Sequence, residues 1–234
     1  MNQFKARSIS IVVPVYNEER TVEELLRKVA RIRLRGLKKQ ILVVNDGSTD
    51  STGTILKRIR IAGMTVLEHD KNRGKGAALR TAFPRTWGDI VLIQDADLEY
   101  DPLDYEKLLS PILKGDADVV YGSRFLGSHR AFLFWHFLGN KFLTLTSNLL
   151  YNTILTDMET CYKVFKGTAI RSIRLRSNRF DIEPEMTAKV LKKGYKLYEV
   201  PISYRGRGFE EGKKITWKDG LTALWALLLY RVID

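Results

Sequence analysis

The stretch "SISIVVPVYNEERTVEELLRKVARI", Ser8 to Ile32, decides how the rest of the chain is read. Its opening carries a β-branched run. That pattern predicts a strand buried on both faces, as in a parallel sheet. Val22, Leu25, Leu26, Val29 and Ile32 then recur at helical spacing, with acids in the first turns. The same unit repeats downstream. "QILVVNDGSTDST" (Gln40–Thr52) reads as a buried strand and turn, "STGTILKRIRIAG" as a short helix ended by Gly63, and "MTVLEHD" as a third strand. "AALRTAFPRT" reads as a helix that Pro84 kinks or ends, and "DIVLIQD" as a fourth strand. Strand–helix alternation of this kind predicts an α/β fold, a doubly wound, mostly parallel sheet flanked by helices. Ligands of such sheets bind beyond the carboxyl ends of the strands. Three loops leave those ends: Pro14–Glu19, Asn45–Asp50 and Gln94–Asp101.

The second half is less regular. "DADVVYGSR" and "YKLYEVPISY" read as strands, and "CYKVF" as a short one. "RFDIEPEMTAKVLKKG" reads as a helix with Pro184 in its first turn. The aromatic-rich Arg130–Leu155 is interrupted by His136, Asn140, Lys141 and Asn148, so it falls short of the ~20 clean apolar residues of a membrane span. It is either a core helix or an interfacial surface with Trp and Phe at the lipid boundary. "LTALWALLLYRVI" is also too short to cross a bilayer.

The chain has 234 residues, enough for one large α/β domain, and a formal net charge of +12. Between Lys163 and Lys218 there are 15 Lys/Arg against 6 Asp/Glu. This basic surface is either simply solvated or meets an anionic partner. Nucleic acid is not the expected one, because no RNP, KH or zinc pattern is present and the aromatics lie among apolar residues. The only cysteine, Cys161, excludes an intramolecular disulfide and a zinc cluster. With no apolar signal core at the N-terminus, a cytoplasmic chain is expected.

The richest candidate stretch is "QDADLEYDP", Gln94–Pro102. Asp101 before Pro102, with Asp104 following, reads as a helix start. Asp95 and Asp97 lie at i and i+2 and on extended backbone face the same way. Their repulsion is relieved by a hard divalent cation such as Mg²⁺ or Mn²⁺, which takes phosphate oxygens as further ligands. Glu99 is a weaker ligand candidate, and a solvated acidic loop is the alternative. Tyr16, Asn17, Glu18, Asn45 and Asp46 carry groups that can bind a base and ribose, or can equally cap the helices they precede. "NRGKG" lacks the spacing of an ATPase phosphate loop, but Lys75 and the helix it opens can bind an anion.

"VVPVYNEE", "VVNDGSTD", "NRGKGAALR", "QDADLEYDP" and "YGSR", in this order and spacing, resemble the GT-A fold of inverting family 2 glycosyltransferases. The resemblance extends through "TDMETCYKVF", "RFDIEPEMTAKV" and "EVPISYRGRGFEEGKKITWKDG" to the polyprenyl- (dolichyl-) phosphate mannose and glucose synthases. It implies one domain over residues 1–234: a nucleotide-sugar and metal half at about 8–125, an acceptor half at about 126–220, and an apolar helix at 221–234. It implies a nucleotide diphosphate sugar of the GDP-mannose or UDP-glucose type as donor and a polyprenyl phosphate as acceptor. Pro14, Tyr16, Asn17, Glu18, Asn45, Asp46 and Lys75 then meet the nucleotide. Asp95 and Asp97 hold Mg²⁺ or Mn²⁺, with Glu99 at the next ligand position, where relatives often carry Gln. Arg124 lies near the acceptor phosphate, and Arg205, Arg207, Lys213 and Lys214 near the diphosphate. Asp157 is a candidate base for a hydroxyl acceptor. The implied location is the inner face of the cell membrane, reached peripherally or through an anchoring partner. The alternatives are transfer to a hydroxyl of a surface polysaccharide or glycolipid, and a nucleotidyltransferase on a similar sheet.

Overall fold

The structure, a computed structural model, describes residues 3–34, 36–131, 133–206 and 217–233. Among the described residues seven strands form one sheet: β1 (Ser8–Val15), β2 (Lys38–Asn45), β3 (Met64–Glu68), β4 (Ile90–Ile93), β5 (Val119–Ser123), β6 (Lys163–Lys166) and β7 (Leu197–Pro201). Their order across the sheet is β3-β2-β1-β4-β6-β5-β7, and every pairing is parallel except the two made by β6. Among the helices are α1 (Val22–Arg31), α2 (Thr52–Arg58), α3 (Lys75–Ala82), α4 (Tyr105–Lys114), α5 (Phe134–Tyr151), α6 (Gly167–Arg171), α7 (Ile182–Lys192) and α8 (Trp217–Val232).

The apolar runs of the strands are explained by burial on two faces. Ile9, Ile11 and Val13 of β1 pack with Leu25 and Leu26 of α1 and Leu108 and Ile112 of α4. Val12, their neighbour, points the other way into a core with Leu79 of α3, Met186 of α7 and Leu227 of α8. Successive side chains of a strand face opposite sides, so a strand covered on both is largely apolar, and in β1 the fully buried exception Ser10 donates to Gln40 of β2.

Two features of this sheet position the site. From β1 the order runs out to β2 and β3 on one side, then returns to β4 on the other, so the loops after β1 and β4 diverge at a switch point. The reversed strand β6 pairs Leu92 with Val164 and Ile90 with Lys166. Its first residues therefore lie at the carboxyl ends of the parallel strands, and the segment that feeds it, from Asp157 to Lys163, is delivered to the same edge. The start of α4 follows the sequence reading. Asp101 accepts from the Leu103 N–H (3.0 Å), and Pro102 opens a 3₁₀ turn, Pro102–Asp104, that leads into the helix.

Candidate active site

The loops after β1 and β2 are stitched together by their polar side chains. Asn17 accepts from the Thr49 N–H (2.8 Å), and its own N–H donates to Ser48 Oγ (3.0 Å). Its φ is 51°, a left-handed conformation that Asn tolerates better than most residues. Glu18 accepts from Thr21 Oγ1 (2.8 Å), and its N–H donates to Thr52 Oγ1 (2.9 Å). Asn45 accepts from the Ser48 N–H (3.2 Å). Pro14 and Tyr16 are half-buried beside this seam.

Asp46 is buried, and its carboxylate accepts from the Arg73 N–H (3.0 Å) and Gly74 N–H (2.7 Å) and meets His69 Nδ1 at 2.6 Å. It thus fixes the loop that opens α3. Gly47 packs so closely on that loop, at φ 65°, that a Cβ there would strike the Lys71 backbone. At the start of α3 the Ala77 N–H donates to the Asn178 carbonyl (3.0 Å), so this backbone donor is already engaged and the Lys75 side chain is the part of "GKG" that reaches the site.

Lys75 Nζ lies 2.7 Å from Asp95 Oδ1 and 3.3 Å from Glu183 Oε1. Glu183 Oε2 lies 2.6 Å from Nζ of Lys163, which is fully buried and also donates to the Met158 carbonyl (3.0 Å) and that of Thr160. Charges alternate along Lys163, Glu183, Lys75 and Asp95. Burial works against the Lys75 ammonium, but Asp95 and Glu183 outweigh it and raise its pKa well above the ordinary value. Cys161 adjoins the same group, and burial pushes its thiol up, which keeps it protonated.

The acidic loop after β4 is braced from below. Gln94 is buried and accepts from Tyr105 and Tyr162 hydroxyls, both at 2.9 Å, while its amide donates to the Asp95 carbonyl (3.0 Å). Asp97 Oδ1 accepts from the Glu99 N–H (3.1 Å) across Leu98, whose φ of 64° is strained for a bulky residue. Glu99 accepts from the Tyr204 hydroxyl (2.8 Å), and its carbonyl accepts from the Arg205 N–H (3.0 Å). The acidic loop is therefore tied to the start of the basic segment. Arg207, Lys213 and Lys214 lie outside the described residues.

A second ion-paired centre stands at the end of β5. Arg124 clamps Asp157 with Nε to Oδ2 and Nη2 to Oδ1, both at 2.7 Å, and its N–H donates to Oδ2 at 2.9 Å. Asp157 is fully buried. Glu199 of β7 holds the turn beneath it, accepting from the N–H groups of Thr156 (2.8 Å) and Asp157 (3.1 Å). Although burial opposes charge at Arg124 too, Asp157 keeps its pKa well above the ordinary value. Glu159, in the same turn, is different. Its Oε1 is shielded from solvent and has no hydrogen-bond partner among the described residues, and burial pushes its carboxyl up to about 7.

Among the described residues no three His, Cys, Asp or Glu side chains form a ready metal cluster. Asp95 and Asp97 still offer hard carboxylate oxygens at one strand end. That donor set fits Mg²⁺ or Mn²⁺ completing its shell with water and phosphate. No local pattern in the sequence marks Glu183, Lys163, Glu159 or Glu199 as site residues. The available signal is their position in "TDMETCYKVF", "RFDIEPEMTAKV" and "EVPISYRGRGFEEGKKITWKDG", the motifs that carry the family resemblance.

The long aromatic segment proves to be a surface helix. Of α5, only Leu143, Thr144 and Ser147 are buried. Trp135 (77% exposed), Leu138, Phe142, Leu145 and Leu149 (76%) form an outward stripe at spacings of three and four residues. α8, packed beside it, exposes Leu221, Trp225, Leu228 and Val232 at the same spacing. No helix among the described residues is long and apolar enough to cross a membrane. The inner side of α5 reaches the second ion-paired centre, where Asn140 Oδ1 accepts from Arg124 (3.4 Å).

Comparison with known proteins agrees with this fold. Solved structures of glucosyl-3-phosphoglycerate synthase from Mycobacterium tuberculosis share the fold. The complex with Mg²⁺ and uridine diphosphate superposes with a TM-score of 0.75 over 97% of this chain and 80% of that one, at 21% identity. The complex with Mn²⁺, uridine diphosphate and phosphoglyceric acid gives 0.73 at 20% identity, again over 97% and 80%. An uncharacterized Methanocaldococcus jannaschii protein is 30% identical over 99% of this chain and 96% of its own length. The low-salt glycan biosynthesis hexosyltransferase of Haloferax volcanii is 32% identical over 86% of this chain, and the dolichol-phosphate mannosyltransferase of Pyrococcus furiosus 27% over 88%. The chain spans 49% and 60% of those two proteins. The family model for Glycosyl transferase family 2 matches residues 10–176, and the chain belongs to that family, as a glycosyltransferase of GT-A fold.

Proposed function

We propose that the protein transfers a hexose, with inversion, from a nucleotide diphosphate sugar to a polyprenyl phosphate at the inner membrane surface. The observation that carries the lipid acceptor is α5. Its outer side is an exposed aromatic and aliphatic stripe, and its inner side holds Arg124 through Asn140. A phosphate bound at Arg124 would have its lipid tail beside a surface built to meet one. Arg205 begins the basic segment whose Arg207, Lys213 and Lys214 we assign to the diphosphate together with Lys75. Pro14, Tyr16, Asn17 and Glu18 line the nucleotide side. Asn45 and Asp46 serve it indirectly, by fixing the loops that present Tyr16 and Lys75.

In the reaction an oxygen of the acceptor phosphate forms the new bond to the anomeric carbon. The bond from that carbon to the diphosphate breaks, and its electron pair leaves with the nucleoside diphosphate. The acceptor needs no general base, because its second pKa lies near ~6 and it is ionised at neutral pH. Asp95 and Asp97 would hold Mg²⁺ or Mn²⁺, with Glu99 beside them, and the metal when bound neutralises charge on the leaving group. Asp157, with both oxygens on Arg124, is assigned to orienting that guanidinium.

Incubation of the purified protein with Mg²⁺, polyprenyl phosphate and a panel of GDP-, UDP- and TDP-sugars tests this. The expected result is a charged lipid-linked sugar and release of nucleoside diphosphate. Transfer only to a saccharide hydroxyl, or release of pyrophosphate, overturns it. One observation favours the hydroxyl acceptor: Glu159, unlike Asp157, has an unengaged oxygen and a carboxyl pushed up to about 7, in the range of a general base.

A further inference from the structure

Glu183 stands in the first turn of α7, buried, and no step of the reaction above uses it. Its carboxylate joins two cations from different elements: Lys163 at the start of β6, at 2.6 Å, and Lys75 at the start of α3, at 3.3 Å. The two contacts differ in kind. Lys163 donates an aligned hydrogen bond to Oε2, whereas Oε1 has no hydrogen-bond partner among the described residues and meets Lys75 through charge alone. One oxygen is anchored; the other supplies field.

The consequence falls on Asp95, whose Oδ1 is the other neighbour of Lys75, at 2.7 Å. With Glu183 ionised, Lys75 is balanced from both sides. Without that charge, Asp95 is the counter-ion left to Lys75 among the described residues. Asp95 would then be drawn off its part in metal binding, and the ammonium drawn off the diphosphate. We infer that Glu183 is a positioning residue that, anchored by Lys163, shares the Lys75 ammonium with Asp95 and so keeps both available to a metal-bound nucleoside diphosphate. The inference rests on the donor reading above.

Because the role is electrostatic, charge and shape can be separated. Glu183→Gln keeps the shape and an acceptor for Lys163 but loses the charge; Glu183→Asp keeps the charge with a shorter reach. Calorimetric titration of GDP and UDP, with Mg²⁺ and without, reads the result directly. Binding in Mg²⁺ is expected to weaken about tenfold in Glu183→Gln, the scale of one charge-assisted contact, with substantial recovery in Glu183→Asp. Gln binding like wild type, or Gln binding better than Asp, overturns the inference, since a packing role would favour the isostere. If Glu183→Gln does not fold with Lys163 left unneutralised, the double variant Lys163→Met/Glu183→Gln removes both buried charges and must show the same weakened binding. Wild-type protein that binds neither nucleotide would instead overturn the donor reading itself.

Discussion

The two buried charge clusters of the site are built on opposite plans. At Lys75 one ammonium is divided between two carboxylates from different elements, Asp95 and Glu183. At Arg124 one guanidinium is closed onto a single carboxylate by two side-chain hydrogen bonds of 2.7 Å each. Lysine is a compact point charge that can be shared and redirected, whereas the planar guanidinium matches one carboxylate in a fixed fork. The difference teaches which cluster can rearrange when an anion and a cation arrive together, and which serves as a rigid post. A diphosphate with its metal changes the local charge greatly and suits the divided cluster. An acceptor phosphate needs a cation held still, and suits the closed one.

The severest test, at the metal position beside the divided cluster, is Asp97→Asn. Asp97 is part-exposed at a loop, so the fold should survive, with an unchanged melting temperature. Turnover should fall by about a thousandfold or more, the scale of losing a metal-assisted stabilisation of the leaving group. Activity unaffected by excess EDTA would contradict the metal assignment independently.

At the closed cluster the largest effect should be on stability. Asp157→Asn leaves Arg124 charged, largely buried and without its counter-ion, which costs roughly 3–5 kcal/mol. Urea unfolding should register that loss. The double variant Arg124→Met/Asp157→Leu should recover most of the stability and none of the transfer activity. If Asp157→Asn is as stable as wild type, the pair is not a rigid post.

These clusters also mark where the sequence stopped being legible. The strands and the three site loops could be read because each is encoded locally, in unbroken apolar runs followed by turn and capping residues. Asp101 could be assigned to a helix start for the same reason. The Lys75–Glu183–Lys163 chain joins residues from α3, β6 and α7, and nothing in the local pattern around Pro184 distinguishes Glu183 from Glu185, which is also buried but accepts from the N–H groups of Arg176 and Ser177. The reversal of β6 was unreadable because strand direction is set by what precedes it in space. Without that reversal Lys163 would not stand at the site edge. For Arg130–Leu155 the sequence left a core helix and an exposed one both open. The apolar residues nearly surround the helix, and only packing shows which of them are covered.

A smaller effect separates the acceptor side from the donor side. Trp135→Asp places a charge on the exposed stripe without touching the core, since Trp135 is 77% exposed. Sedimentation with anionic lipid vesicles should fall about tenfold, from lost interfacial burial, while binding of nucleoside diphosphate stays unchanged. Equal loss on both would mean that the helix shapes the donor site as well.

The smallest predicted effect lies between the two clusters, at Glu159, which feels Lys163 and Glu183 on one side and Arg124 and Asp157 on the other. Burial raises its carboxyl from the ordinary 4.5 to about 7, so the folded state holds this proton more tightly than the unfolded chain does. Its favourable contribution to folding is therefore complete below the unfolded value and is lost as pH rises through the folded one. Glu159→Gln removes a group that must ionise in an enclosed place. The variant should melt a few degrees higher than wild type at about pH 8, with the gap closing toward pH ~5. Thermal melts across that range read the sign directly. A gap that is constant with pH would show that Glu159 is not strained by ionisation, and would remove the observation that favours a hydroxyl acceptor. A gap that closes as expected, together with wild-type lipid transfer by the variant, would leave Glu159 outside the chemistry.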